Sequence, residues 1–166
     1  GSAFFSGLEE GEYLLNLHED AGAPAAAQVG QLVGSNRLLY RSELPLGFAM
    51  DVWGQDNIAL LAGGKNPDIG LLVADVSSPE VPAILTELNG IGYVRDVKSA
   101  DGLLFTAVDA DSDGCEQCDD IGIRIFDFSD PAAPVLLSTI GEPAHSVHNM
   151  TYSDGFLYVC SMFEQN

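Results

Sequence analysis

The chain has 166 residues, of which 46% are hydrophobic and 8% aromatic. This composition indicates a folded domain and excludes a disordered chain. Only six Lys and Arg stand against 25 Asp and Glu, so the formal net charge is −19 at pH 7. Such a surface repels phosphate backbones and anionic bilayers, so we expect neither nucleic-acid binding nor direct membrane insertion. It is compatible with cation binding and with a salty or calcium-rich extracellular fluid, and solubility alone stays open as an alternative reason for the charge.

The first 46 residues form an N-terminal lead in which no clear internal copy is visible. The stretch GLEEGEYLLNLHED at residues 7–20 predicts a short helix. The run Leu38-Leu39-Tyr40-Arg41 predicts one strand of an earlier structural unit.

From residue 47 onward the sequence repeats. Residues 70–84 read GLLVADVSSPEVPAI, and residues 122–136 read GIRIFDFSDPAAPVL. DVWGQDNIALLA at 51–62 likewise matches DVKSADGLLFTA at 96–107 and NMTYSDGFLYVC at 149–160. Copies begin near residues 47, 92 and 145, and a spacing of this size predicts a propeller or a solenoid.

Each copy predicts four short β-strands, so the fold class is all-β. In the second copy the strands fall at 93–97, 103–108, 123–128 and 135–140, where β-branched and aromatic residues dominate. Asp101-Gly102 and Asp154-Gly155 predict tight hairpin turns, because glycine accepts a positive φ, and Asp56-Asn57 is a weaker version. The predicted units are two four-stranded blades at 47–91 and 92–143, followed by half a blade at 144–166.

The pattern G-apolar-x-apolar-apolar-D-apolar-S-x-P-x-x-P resembles the LVIVD repeat of bacterial and archaeal surface-associated β-propellers. The match rests on Leu71–Ser77 and Ile123–Ser129, and on His148-Asn149-Met150 followed by Phe156–Val159. The resemblance covers about residues 47–163. It implies a β-propeller of four-stranded antiparallel blades at the cell surface or outside the cell, and says little about activity.

Closed propellers need four to eight blades, so two and a half blades predict an incomplete arc. We expect the arc to be completed by a protein partner, by a further part of its own chain or by self-assembly. Leu157-Tyr158-Val159 is then expected at or near an unpaired edge.

The stretch DADSDGCEQCDD at 109–120 lies between the second and third strands of the second blade. It contains D-x-D-x-D-G, in which alternating carboxylates converge on a hard cation and the glycine permits a sharp turn. This predicts a Ca²⁺ site, and a solvated acidic loop and another metal stay open as alternatives. The candidate ligands are Asp109, Asp111, Asp113, Gln117, Asp119 and Asp120.

The cysteines have three interpretations. Cys115 and Cys118 predict a local disulfide that braces the acidic loop of an exported protein. A zinc site would need His145 and His148 to complete it, and a redox pair is disfavoured by the acidic neighbours. Cys160 lies in an apolar run and is predicted to be a buried free thiol.

Two functions of different class follow. The first is a non-enzymatic binding or structural module with a calcium-stabilised loop. The second is a metal-dependent propeller hydrolase that uses His145 and His148, although a histidine at a strand start more often fixes a turn. Asp51, Asp96 and Asn149 recur at one position of successive copies. They either line a channel or bind backbone N–H groups, and their repetition favours the structural role.

Overall fold

The computed structural model describes residues 11–17, 26–33, 37–45, 49–63, 70–109, 121–141 and 145–163. The strands, in chain order, are β1 (Gly11–Leu17), β2 (Ala26–Val33), β3 (Arg37–Pro45), β4 (Asp51–Gln55), β5 (Ile58–Ala62), β6 (Leu71–Asp75), β7 (Ala83–Leu88), β8 (Tyr93–Ala100), β9 (Leu103–Asp109), β10 (Gly122–Asp127), β11 (Val135–Ile140), β12 (His145–Ser153) and β13 (Phe156–Phe163). Within these ranges, no helix is long and apolar enough to cross a bilayer.

The strands form four antiparallel sheets in which neighbours along the chain are neighbours in the sheet. Sheet I has the order β1-β2-β3, sheet II β4-β5-β6-β7, sheet III β8-β9-β10-β11, and sheet IV β12-β13. The prediction of four-stranded antiparallel sheets is thus confirmed by sheets II and III. The predicted hairpin turns are confirmed too, because Asp56, Asn57, Asp101 and Asp154 all have positive φ between 49° and 65°.

The repeated D-x-S motif ends the third strand of each four-stranded sheet. The Ser77 N–H donates to Asp75 Oδ1 at 2.8 Å, and the Ser129 N–H donates to Asp127 Oδ1 at 2.9 Å. These backbone hydrogen bonds lower the pKa of both carboxyls, since they favour the charged form. The aspartate therefore closes the turn that leads into the proline-containing connection.

The sheets pack face to face in chain order, because alternate side chains of a strand point to opposite faces. Between sheets II and III the buried core includes Leu60, Val73, Val97 and Leu104. Between sheets III and IV it includes residues of β9, β10 and β12, and the Phe105 ring stacks on Tyr152 at 5.7 Å. Leu44 of sheet I joins the core on the opposite face of sheet II.

The last strand of sheets I, II and III carries a β-bulge at one repeated position. The bulged residues are Arg41, Leu85 and Leu137, each three residues before Leu44, Leu88 and Ile140 respectively. Bulges on outer strands disturb further pairing and so protect a sheet edge. The shared position identifies β3 as the counterpart of β7 and β11, and the predicted strand at Leu38–Arg41 lies within it.

The helix predicted at 7–20 is wrong in its described part. Residues 11–17 form β1, which pairs with β2 over seven residues from Gly11↔Leu32 to Leu17↔Ala26. A helix of this length is marginal by itself, whereas a strand beside β2 satisfies its backbone groups in a sheet. Tertiary pairing therefore overrides the local pattern at this point.

Candidate functional site at the junctions between repeats

The repeated aspartates connect one sheet to the next. Asp51, Asp96 and Asn149 are equivalent, because they pair with Ala62, Ala107 and Cys160 on the following strand. The Val97 N–H donates to Asp51 Oδ2 at 3.1 Å, and the Met150 N–H donates to Asp96 Oδ2 at 2.5 Å. In both cases the donor directly follows the equivalent residue of the next repeat. We call this hydrogen bond the inter-repeat link.

Lys98 contacts the aspartates of both inter-repeat links. Its ammonium group donates to Asp51 Oδ2 at 3.1 Å, to the Val97 carbonyl at 3.0 Å and, at closer range, to Asp96 Oδ1. It also lies over the Trp53 ring, 5.2 Å from the centroid. Since the Asp96 side chain is only 2% exposed, a buried carboxyl here needs the cation and the N–H donor.

The two carboxyls of this Asp51–Asp96–Lys98 cluster have opposite pKa shifts. Burial, followed by the hydrogen bond with Asp51, raises the pKa of Asp96 to about 6, against the opposing effect of Lys98. Burial also opposes ionisation of Asp51, but the hydrogen bond with Asp96 and the charge of Lys98 outweigh it, so the pKa of Asp51 is lowered. Two adjacent carboxyls avoid full ionisation in this way.

We expect the free energy of unfolding to depend on pH through the protonation of Asp96. Asp96→Asn should remove this dependence. A folded-state pKa near 6, above the usual 3.8, means that the folded protein holds the Asp96 proton more tightly than the unfolded chain. That contribution is fully present below about pH 4 and is lost as the pH rises through 6, by an amount on the order of 2 kcal/mol. Urea unfolding of both proteins from pH 4 to 7.5 measures it. A constant difference between the two proteins over this range contradicts the assignment.

A β-bulge recurs immediately before the repeated Asp or Asn in the first strands of sheets III and IV. Arg95 and His148 are the bulged residues of β8 and β12, immediately before Asp96 and Asn149. A bulge redirects the side chain of the residue that it inserts. Arg95 Nε donates to Asp109 Oδ2 at 2.5 Å, and its guanidinium lies 4.6 Å from the Tyr93 ring centroid. Arg95 thus anchors the residue from which the acidic loop departs.

The acidic loop itself is described only at its two ends. Asp109, a predicted Ca²⁺ ligand, is buried and binds Arg95. The other predicted ligands lie outside the described residues, as do Cys115 and Cys118, so the Ca²⁺ site and the disulfide stay predictions. Among the residues that are described, no group of three His, Cys, Asp or Glu side chains could hold a metal.

The acidic loop leaves and re-enters sheet III where the chain departs for β12. Gly122 pairs with Val108, and its neighbour Ile123 pairs with Ile140. The backbones of Ile121 and Gly141 approach so closely that a Cβ on Gly141 would lie 1.9 Å from the Ile121 oxygen. The predicted placement of the loop and the histidine-bearing connection at one end of the sheet is therefore observed for their described ends.

The two histidines occupy the start of β12. His145 is its first residue and pairs with Phe163, while its side chain lies outside the described part. His148 is exposed at the bulge. Within the described residues, the structure shows no hydrogen bond between the His148 ring and another side chain. Arg95 and Lys98 were missed by the sequence analysis, although both lie beside an aspartate that recurs in the repeat.

The prediction that Cys160 is buried is wrong. Cys160 is a free, exposed cysteine on β13. Its equivalents Ala62 and Ala107 are 0% exposed, because a following sheet packs on that face of sheets II and III. Within the described residues, no such sheet covers sheet IV, and this leaves the thiol in solvent.

A groove of about 170 Å³ lies between sheets II and III at their opposite end, lined partly by Gln55, Ser99 and Phe128. The Trp53 Nε1–H donates to Ser99 Oγ, and the Ser99 hydroxyl donates to Gln55 Oε1, both at 3.1 Å. These polar groups satisfy one another across the two sheets. The groove is therefore part of the sheet interface.

Comparison of the chain with models of known protein families finds no match, and no curated protein matches it either.

Proposed function

We propose that the chain is an arc of a β-propeller that serves as a binding or structural module at the cell surface or outside the cell. The inter-repeat link carries this proposal. The same aspartate, at the same position, binds the backbone of the next repeat's first strand in two successive junctions. A group that is copied from repeat to repeat, and used each time to dock the next sheet, serves architecture rather than a single reaction centre.

Three further features support the module over an enzyme. Sheets II and III have the four-stranded order of propeller blades, and every sheet packs on the next in chain order. The buried carboxyls Asp96 and Asp109 each pair with a cation, Lys98 and Arg95 respectively. The strong negative charge suits an extracellular protein that binds cations.

In this proposal the loop at 109–120 binds one Ca²⁺ ion that stiffens the loop. Its carboxylates repel one another unless a cation is present. Asp109 Oδ2 accepts a hydrogen bond from Arg95, so we assign its other oxygen to the ion. The remaining ligands would come from Asp111, Asp113, Gln117, Asp119 and Asp120.

Removal of calcium is expected to lower the melting temperature by several degrees and to increase proteolysis between Val108 and Ile121. After calcium has been removed with a chelator, calorimetric titration of the protein with Ca²⁺ and with Mg²⁺ measures the heat of ion binding. The matched control is Asp111→Asn with Asp113→Asn, which should abolish the heat of binding and leave the melting temperature of the calcium-free protein unchanged or higher. No heat and no change in melting would remove calcium from the proposal.

The alternative function, a metal-dependent hydrolase, predicts catalytic activity for the same protein. It requires metal-stimulated cleavage of a model ester or phosphoester that is lost in His148→Ala. Our proposal expects the variant and the unmodified protein to show the same background rate. A metal-dependent rate that falls with His148→Ala would overturn the binding module and leave the architecture untouched.

A further inference from the structure

The third copy of the repeat exposes residues that its two predecessors bury. Tyr158 is equivalent to Leu60 and Phe105, and it is 57% exposed where they are 1% and 4% exposed. Cys160 is exposed where Ala62 and Ala107 are fully buried. The side chains at each of these equivalent positions are similar in all three copies, but their exposure to solvent differs.

The same holds for the polar position. Asp51 and Asp96 each accept a backbone N–H from the first strand of the following sheet. Asn149 is their equivalent, and its side chain is exposed. Its amide oxygen is able to accept the same hydrogen bond. We call Asn149, Tyr158 and Cys160 the free face of sheet IV.

The opposite face of sheet IV shows that this exposure does not reflect a poorly packed sheet. Val147 and Met150 are 6% and 2% exposed, and Tyr152 and Leu157 pack with them against sheet III. Sheet IV therefore packs one face against sheet III, whereas sheets II and III each have a neighbouring sheet on both faces.

We propose that the free face of sheet IV is the docking surface for a further antiparallel β-sheet of the same repeat. The inference rests on the repeat architecture proposed above and continues an interface that the chain already forms between sheets II and III and between sheets III and IV. The first strand of the docking sheet presents two apolar side chains to Tyr158 and Cys160, as Val147 and Met150 do to sheet III. Its backbone donates one N–H to Asn149.

Cys160 is a built-in reporter of docking. The experiment compares the full chain with an extended chain in which a second copy of residues 111–163 follows Phe163. This junction keeps the repeat in register, because Cys160 is equivalent to Ala107 and Phe163 therefore to Ala110. Cys115→Ser and Cys118→Ser in both chains, and serine at all three cysteine positions of the added copy, leave Cys160 as the single thiol.

The rate at which a thiol reagent labels Cys160 is expected to fall about 100-fold in the extended chain, because labelling then requires the docked sheet to open. The matched control carries Val147→Asp and Met150→Asp in the added copy only, and its rate should return to that of the unextended chain. Asn149→Ala in the original copy of the extended chain should raise the labelling rate of Cys160 about tenfold, since it removes the inter-repeat link to the added sheet.

An extended chain that gains strand content by circular dichroism but labels Cys160 at the unextended rate would overturn the docking surface. So would an unextended chain whose Cys160 becomes protected as its concentration rises, because the occupant would then be a second copy of this chain. Loss of the calcium effect would leave this inference standing, and unprotected Cys160 would leave the calcium result standing.

Discussion

Asp96→Ala is expected to lower the free energy of unfolding by about 3–5 kcal/mol, which corresponds to roughly 10 °C in the melting temperature of a chain of this size. The substitution leaves the Met150 N–H without its acceptor and the Lys98 ammonium without its closest partner. The Met150 N–H is buried, where an unpaired donor is costly, and the largely buried Lys98 keeps only Asp51 as an ionic partner. Chemical unfolding at pH 7 measures the effect.

Two controls separate the inter-repeat link from a general effect of charge. Asp96→Asn keeps an acceptor for the Met150 N–H and loses only the charge opposite Lys98, so it should cost clearly less than Asp96→Ala. Glu87→Ala removes an exposed carboxylate from β7 and should stay within about 0.5 kcal/mol of the unmodified protein. If Asp96→Ala behaves like Glu87→Ala, the link has no structural role.

Gly122→Ala is expected to destabilise the protein by at least about 3 kcal/mol and to disturb the acidic loop. Gly122 has a φ of +130°, a conformation that L-residues rarely adopt. An added Cβ would also lie 2.3 Å from the Ile140 carbonyl oxygen and 2.6 Å from the Gly141 Cα. These are backbone atoms of the adjacent strand end, so the clash cannot be relieved by a side-chain rotation.

Gly54→Ala is the matched control, because Gly54 also lies in a strand but has room for a methyl group. The nearest atom to its added Cβ is the Ile58 oxygen at 3.9 Å, an ordinary contact. We expect a change within about 0.5 kcal/mol. If the two variants are equally stable, the start of β10 and the end of β11 can move apart at little cost, and the prediction is wrong. Calcium affinity should fall only in Gly122→Ala, since this residue lies two positions after the loop.

The inter-repeat link explains why an acidic protein retains buried carboxyls. Of six Lys and Arg in the chain, Lys98 lies between Asp51 and Asp96, and Arg95 binds Asp109. Both cations come from β8 and lie on either side of Asp96. The first strand of sheet III thus concentrates the positive charge that its acidic neighbours require.

Much of the fold was predictable from the sequence because the determinants are local and occur twice. The four strands of sheet III were predicted to within a few residues, since alternating β-branched runs are bounded by turn residues. Asp101-Gly102 and Asp154-Gly155 specify their turns through positive φ. A glycine also recurs where the third strand begins, at Gly70 and Gly122, and at both positions an added Cβ would meet a neighbouring segment.

The candidate site was predictable only in part. Repetition identified Asp51, Asp96 and Asn149 and favoured a structural role, which the hydrogen bonds of the two aspartates confirm. Lys98 and Arg95 were not recognised, because their partners depend on which face of a bulged strand they occupy. A bulge inserts one residue into the alternation, and no composition signal marks it at Arg95 or His148.

The sequence by itself determined the strands and turns of the repeat, because these depend on residues within one hairpin of each other. The tertiary structure decided which equivalent residues are buried. Ala107 and Cys160 have the same place in the repeat, yet a following sheet covers the first, while none of the described residues covers the second. Likewise, β1 is a strand rather than a helix because β2 lies beside it. Burial and backbone pairing are properties of neighbours that the chain brings together only on folding, and the inter-repeat links join residues 46 and 54 positions apart.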